Sequence, residues 1–423
     1  MRSHWCRVTT LLAVALSLVA CEQSTEIDVN PKLQSGYWRA SIQLPGGDID
    51  TGFEFSQEDE VWKAYLINGQ ERVLIDEVHY ENGELTLRFP AFNNHIRARL
   101  VDGDLIGDLT LVRRHGNTQV MPFTATPGVE RVETEEDNSI DLSGRWAVRF
   151  HNEGGSDSEA IGEFKQQGSR LFGTFLRPNG DHRFLSGYVR SNQFKLSSFD
   201  GAQTIIFAGE IVDDRINMAS FWSGPRWHQN WSAERSSSVA LPDSFSRTFL
   251  KPGYDRFQFE FPDLEGKLVS LDDERFSGKV VIVTIAGTWC PNCNDEARFM
   301  ASFYKQYRDR GLEVVALMFE HFEDTKIATQ QIRNFRRKFD IEYETLLAGI
   351  SDKAVAAEAL PSLSAMLAWP TSIFIDRNGK VRSIHTGFSG PGTGEHYVRL
   401  QEKITALVTE LLDEPVDLLE PST

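Results

Sequence analysis

The chain carries two hydrophobic rhythms. Over residues 36–126 and 143–235, short runs alternate apolar and polar positions and are cut by Asn-Gly, Asp-Gly or Asp-Asp pairs at roughly the 8–12-residue spacing of antiparallel hairpins. Alternation with a period of two sets one face of each run in a core and the other in water, so both stretches predict β-rich domains, sandwiches or barrels, without a convincing helix. Over residues 255–413 the rhythm changes. Apolar runs suited to buried strands alternate there with segments whose apolar residues recur at helical spacing, which predicts an α/β sheet with a parallel core.

The two β-rich stretches read as copies of one another. Gly36-Tyr37-Trp38 matches Gly144-Arg145-Trp146, Phe55 matches Phe164, and Asn68-Gly69 matches Asn179-Gly180. Leu85-Thr86-Leu87 parallels Phe194-Lys195-Leu196, Val101-Asp102 parallels Val212-Asp213, and Phe123-Thr124-Ala125 parallels Trp231-Ser232-Ala233. Each match is weak alone, but together they keep their order. An acidic, proline-containing segment over residues 127–140 links the copies, and residues 236–253 link the second copy to the rest. Trp222, Trp227 and Trp231 cluster late in the second copy; without convergent polar groups they are expected to plug a small barrel rather than form a binding face.

In the last stretch, residues 257–261 and 267–271 flank Leu264-Glu265-Gly266 as a hairpin, and the buried strand Lys279-Val280-Val281-Ile282-Val283-Thr284-Ile285-Ala286 follows. A helix after Cys290 aligns Phe299, Met300, Phe303, Tyr304 and Tyr307. Next come a strand over residues 312–319, a helix over 327–339 closed by Arg336-Arg337-Lys338, and a strand over 343–348. Strands over 371–376 and 381–385 flank the turn Arg377-Asn378-Gly379-Lys380, and a final helix aligns Tyr397, Leu400, Ile404, Leu407 and Leu411.

Length adds a count: 423 residues at about 150 per domain suggest about three domains. The net charge of −17, with acidic runs over 130–137 and 413–420, argues against nucleic acid as a partner. Residues 1–20 have a basic start, Arg2 and Arg7, and an apolar stretch shorter than the about 20 residues that span a bilayer, so they read as a cleaved export signal. Leu18-Val19-Ala20-Cys21 resembles the bacterial lipoprotein box, which implies that Cys21 becomes the lipid-bearing first residue of a mature, membrane-attached chain.

That leaves Cys290 and Cys293 as the free thiols, in Trp289-Cys290-Pro291-Asn292-Cys293 at the point where a strand feeds a helix. Pro291 suits the first helical position, so Cys290 caps the helix beside unpaired backbone N–H groups that favour a thiolate. A thiolate there can attack a disulfide, and Cys293 one turn on can release the mixed disulfide. The same spacing also supplies half of a tetrahedral zinc site, but no second half follows in the sequence, and neither metal nor cofactor is expected. His321, His385 and His396 have no partner at metal spacing and read as surface residues or as supports near the site.

These motifs, in this order, resemble the TlpA/ResA-type thiol-disulfide oxidoreductases of the thioredoxin superfamily. The resemblance rests on Phe261-Pro262-Asp263-Leu264-Glu265-Gly266, the Cys290 motif, Glu296, Trp369-Pro370-Thr371, and Phe374-Ile375-Asp376 followed by Asn378-Gly379-Lys380, and it covers a little over a third of the chain. It implies a thioredoxin-like fold over 255–413, Cys290 as the exposed attacking thiol, Cys293 as the resolving one, and a redox-active disulfide between them. It further implies Pro370 as a cis-proline facing the dithiol, Trp289, Trp369 and Thr371 bordering the substrate, and Glu296 as the acid that moves the Cys293 proton; Glu296 could also be a first-turn charge complementing the helix dipole. Arg298 stands where the family usually has proline. Exported proteins with cysteine pairs would be the substrates and a membrane thiol donor the reductant, in the bacterial cell envelope. Two rival readings remain. A thiol peroxidase of the same fold would need threonine and proline where Gly287 and Val283 stand, and an envelope binding or scaffold lipoprotein would act through the β-rich copies.

Overall fold

The computed structural model describes residues 32–128 and 140–415. The proposed signal and Cys21, and most of the acidic linker and tail, lie outside these residues.

The first copy is a meander of nine strands: β1 (Gly36–Leu44), β2 (Gly47–Glu58), β3 (Val61–Asn68), β4 (Glu71–Leu74), β5 (Glu77–Glu81), β6 (Glu84–Phe89), β7 (Asn94–Val101), β8 (Asp104–Val112) and β9 (Thr118–Pro127). The second repeats it: β10 (Gly144–His151), β11 (Ser158–Gln167), β12 (Arg170–Arg177), β13 (Gly180–Asp181), β14 (Leu185–Arg190), β15 (Gln193–Phe199), β16 (Thr204–Glu210), β17 (Arg215–Ser223) and β18 (Trp227–Arg235). The correspondence reaches single residues. Gly36 pairs with Phe55 as Gly144 pairs with Phe164, both glycines hold φ near +112°, and Trp38 and Trp146 each donate Nε1–H to the carbonyl four residues back, Gln34 and Leu142, at 2.9 and 3.0 Å. Only glycine enters that region of φ freely, which fixes it at the start of both sheets.

The copies differ in closure. In the second, β12 pairs with both β11 and β14, so eight strands close into a barrel with β13 as a short appendage. In the first, the equivalent β3 and β5 are the ends of no such ladder and the sheet stays open as a half-barrel. Its core is completed from the neighbour: Phe199, Ala202 and Ile206 are buried among the half-barrel's own apolar residues, with the Phe199 ring 5.6 Å from that of Phe89. Asn68 Nδ2 donates to the Phe199 carbonyl and Asn94 Nδ2 to that of Gly201, which holds the plugging loop in place.

Of the three clustered tryptophans, Trp231 alone plugs the closed barrel, fully buried among Phe150, Phe175 and Phe207. Trp222 follows inward-facing Phe221 and therefore points outward, where its ring covers Gly46 of the half-barrel. Trp227 sits at the start of β18, 44% exposed, with its ring edge-on to Phe221.

The last region has the thioredoxin-like order. A hairpin of β19 (Glu260–Pro262) and β20 (Leu268–Ser270) precedes β21 (Val280–Ala286), α1 (Pro291–Tyr307), β22 (Leu312–Glu320), α2 (Thr325–Phe339) and β23 (Glu344–Ile350). Then follow α3 (Lys353–Ala359), β24 (Thr371–Ile375), β25 (Val381–Thr386) and α4 (Glu395–Asp413), in a sheet of order β23-β22-β21-β24-β25. Central β21 is buried throughout because both faces are covered: Val280 and Ile282 pack with Met300 of α1 and Ile404 of α4, whereas Val281 and Val283 pack with Phe276 and with Leu360 after α3. The short α3, capped by Asp352, is a helix additional to those expected from the sequence. Among the described residues no helix is long and apolar enough to cross a membrane.

Candidate active site

Cys290 is the N-cap of α1, with extended backbone (φ −93°, ψ 118°), and Pro291 fills the first helical position. The Cys293 backbone N–H donates to Cys290 Sγ at 3.2 Å, so the cap places the two sulfur side chains one turn apart. Asn294 locks the turn by donating Nδ2–H to the carbonyls of Thr288 (3.0 Å) and Cys290 (2.8 Å). Both thiols are free and buried, at 5% and 1% exposure. Cys290 is therefore not the open thiol that the resemblance implied. Its S–H faces the Trp369 carbonyl at 3.5 Å, and the Trp369–Pro370 bond beside it is cis.

Around the dithiol, Trp289 stacks on His321 (4.7 Å between centroids), meets Trp369 edge-on at 5.4 Å, and donates Nε1–H to the Phe319 carbonyl. Thr371 is buried; its hydroxyl donates to the Ala368 carbonyl and its backbone pairs within the sheet, so it supports the cis-proline turn from beneath. Glu296 is buried at 3% exposure, accepts from the Ser372 hydroxyl at 2.6 Å and lies past the first turn of α1, away from the place where a charge would complement the helix dipole. Burial holds its carboxyl up at about 7, against the Ser372 hydrogen bond that favours the anion. Burial, the Cys290 sulfur and, less strongly, the Glu296 charge push the Cys293 thiol well above its ordinary value. Arg298, where proline was expected, lies exposed and reaches over the Phe339 ring without interrupting α1.

The β modules contribute to this site. The turn between β12 and β13 packs on the start of α1: Asn292, between the cysteines, donates Nδ2–H to Asp181 Oδ2 at 3.1 Å, and the same oxygen accepts the Gly390 N–H at 2.6 Å. An added Cβ at Gly180 would lie 2.8 Å from Asn292 Oδ1, so the approach requires glycine. Arg183 then reaches the Pro291 carbonyl (3.2 Å) and ion-pairs with Glu71 of the half-barrel (2.5 Å), Asp295 of α1 (3.2 Å) and Asp200 of the closed barrel (3.5 Å). All four side chains are at most 8% exposed. One buried cation thus joins three parts of the chain, and burial holds Asp295 up at about 7 although Arg183 draws it down. From the other side, the His115 N–H of the half-barrel donates to the His321 carbonyl at 2.8 Å, and Arg114 pairs with Asp352.

His385 is buried rather than on the surface, and His396 bonds Glu163 of the closed barrel at 3.0 Å. Among the described residues no group of three or more His, Cys, Asp or Glu could hold a metal ion. Sequence reasoning passed over Ser372, Glu320, Asp181 and Arg183. Ser372 is a polar residue at the start of a fully buried strand, and Glu320 a charge closing another; Glu320 is fully buried, accepts from the Thr288 N–H (3.0 Å) and hydroxyl (2.6 Å), and is held up at about 7 by burial. Those signals were legible, whereas Asp181 and Arg183 carry none beyond a turn.

The family model described as AhpC/TSA family matches residues 252–384. The thiol-disulfide oxidoreductase ResA of Bacillus thuringiensis subsp. konkukian (strain 97-27) is 32% identical over 156 residues, 37% of this chain and 80% of that protein. The chain belongs to the ResA family of thiol-disulfide oxidoreductases. ResA of Bacillus subtilis (strain 168) is 30% identical over 138 residues, 33% of this chain and 69% of its own length. Among solved structures, a thiol:disulfide interchange protein of the thioredoxin family from Chlorobium tepidum TLS aligns over 41% of this chain and 99% of its own, with 20% identity and a TM-score of 0.29. The family model falls on the C-terminal region, and the half-barrel and closed barrel lie outside it.

Two outcomes follow from the buried charges. Replacing Arg183 with Ala strands Glu71, Asp200 and Asp295 and is expected to destabilise the junction by about 3–5 kcal/mol near neutral pH, in urea unfolding, with a smaller loss in acid where the carboxyls bind protons. For Glu296 the folded value of about 7 lies above the ordinary 4.5, so its contribution to stability is full below about pH 4.5 and is lost as pH rises through 7. Glu296→Gln should flatten the stability profile across that window, leaving the slope due to Glu320 and Asp295.

Proposed function

We propose that this protein is a lipid-anchored, extracytoplasmic thiol-disulfide oxidoreductase that reduces disulfides of exported proteins. The observation that carries the reading is Cys290 at the cap of α1 with Cys293 one turn behind it and the buried acid Glu296 close by. The Cys290 thiolate attacks one sulfur of the substrate disulfide; a new S–S bond forms and the other substrate sulfur leaves as thiolate. Cys293, losing its proton to the Glu296 carboxylate, then attacks Cys290 Sγ and expels the second substrate thiolate. Two electrons pass to the substrate and the Cys290–Cys293 disulfide remains, to be reduced by a membrane thiol donor.

Several features support the roles. A carboxyl held near 7 exchanges protons readily at neutral pH, and Cys293, with its raised thiol, needs such a base. Trp289, Trp369 and cis Pro370 frame the Cys290 sulfur, and we assign them to the substrate-binding wall. The signal-like residues 1–20 and the lipobox resemblance ending in Cys21 support export and anchoring. Against the peroxidase reading, an added Cβ at Gly287 would lie 2.3 Å from Trp289 Nε1 and 2.6 Å from the Phe319 carbonyl, so the threonine of that chemistry does not fit.

A Cys293→Ala variant expressed with its export signal should accumulate mixed disulfides through Cys290, resolved by reducing agent on non-reducing gels and absent from the Cys290→Ala, Cys293→Ala double variant. No trapped species in the envelope fraction would refute the exchange role.

A further inference from the structure

The closed barrel carries a second reactive constellation, on its outer face. Trp146, Val148 and Phe150 of β10 and Trp231 and Ala233 of β18 point into the barrel, so the alternate residues, Arg149, His151 and Ser232 among them, point outward. His151 Nε2 lies 2.9 Å from Ser232 Oγ, and His151 Nδ1 lies 3.0 Å from Asp157 Oδ2. An ionised carboxylate only accepts, so Nδ1 carries the hydrogen and, in the neutral ring, Nε2 accepts from the Ser232 hydroxyl. Acid, imidazole and hydroxyl thus stand in the order of a serine nucleophile with its general base and orienting carboxylate.

Three segments meet there: His151 ends β10, Ser232 lies within β18, and Asp157 ends the turn between β10 and β11. That turn is anchored, because Asn152 Nδ2 donates to the Ser156 carbonyl and Asn152 Oδ1 accepts from Gln229 Nε2, both at 2.6 Å. Stability alone does not call for the arrangement, since the side chains of His151 and Asp157 are 35% and 38% exposed and such a pair contributes little in water. His151 and Ser232 line a cavity of about 520 Å3, within the about 300–1,000 Å3 range of ligand pockets. Val239, Ala240 and Leu241 of the linker give it an apolar wall. Arg149 and Arg215 balance Glu159 and Glu234 around it, which suits an uncharged substrate. Arg149 stands opposite Ser232 in the β10–β18 ladder and has no ion pair among the described residues; with the Asn217 amide it offers donors to negative charge developing beside the serine.

We propose that Ser232, His151 and Asp157 form a hydrolytic site for small, uncharged carboxylic esters, an activity separate from thiol-disulfide exchange. Ser232 Oγ attacks the ester carbonyl carbon while His151 Nε2 takes the hydroxyl proton, and Asp157 holds the resulting imidazolium. The tetrahedral intermediate expels the alcohol, which leaves with that proton, and the acyl group stays on Ser232. Water then attacks the acyl carbon, gives its proton to the same nitrogen, and the carboxylic acid departs as Ser232 regains its hydrogen. The acyl group lies against the wall formed by Val239, Ala240 and Leu241.

Hydrolysis of p-nitrophenyl acetate by the oxidised full chain, which has no free Cys290 or Cys293 thiol to react with the ester, tests this. Turnover is expected, reduced at least about a hundredfold in Ser232→Ala and at least about tenfold in Asp157→Asn. A fluorophosphonate probe should bond covalently to Ser232, read by mass spectrometry of the modified peptide. Absence of turnover above buffer, or of labelling at Ser232, overturns the proposal, as does hydrolysis that persists in folded Ser232→Ala. Unchanged hydrolysis in Asp157→Asn overturns the role of the carboxylate. If circular dichroism shows that Ser232→Ala does not fold, His151→Gln is read by the same criterion.

Discussion

Arg183 is the constraint on which the arrangement of this molecule depends. Its guanidinium sits among Glu71, Asp200 and Asp295, drawn from the half-barrel, the closed barrel and the redox helix. Taking such a group out of water is favourable only if its partners are all in place, because each uncompensated charge in a low dielectric costs several kcal/mol. The cluster therefore specifies one mutual placement of the modules more than it adds stability. Asp181 extends the constraint to the dithiol itself, through Asn292 on one side and the Gly390 amide on the other.

With that placement fixed, the redox site is built in layers. The ResA-type domain supplies the capped helix, the cis-proline turn and the buried Glu296, and the β modules close around them. The Asn179-Gly180 turn and its counterpart Asn68-Gly69, equivalent in the duplicated fold, both lead into the Arg183 cluster: the first continues to Asp181 and Arg183, the second to Glu71. Duplication followed by unequal closure explains how. Phe199 and its loop complete the core of the open half-barrel, and the same loop brings Asp200 to Arg183.

Much of this was legible in the residues. The order of weak matches between the copies located the strands at both ends of each copy and the turn after β3 and β12, because turn glycines and core tryptophans are held by backbone geometry that both copies share; β4, β5 and β8 and their counterparts carried no match. The helices and strands of the last region other than α3, and the dithiol at a helix start, followed from periodicity and from Pro291. The burial of Cys290, the depth of Glu296 and the splitting of the tryptophans into one plug and two outliers did not, since each depends on what packs against the element rather than on the element itself. Arg183 was illegible for the same reason: its partners lie 112, 17 and 112 positions away in sequence, as Glu71, Asp200 and Asp295.

The most direct test of the account is amide hydrogen exchange over the first turns of α1 in the wild-type chain and in Arg183→Gln. If the barrel turn holds the redox helix, exchange should accelerate together over residues 179–184 and 291–298 while central β21 stays protected. Unchanged exchange over 291–298 in a folded variant would contradict it.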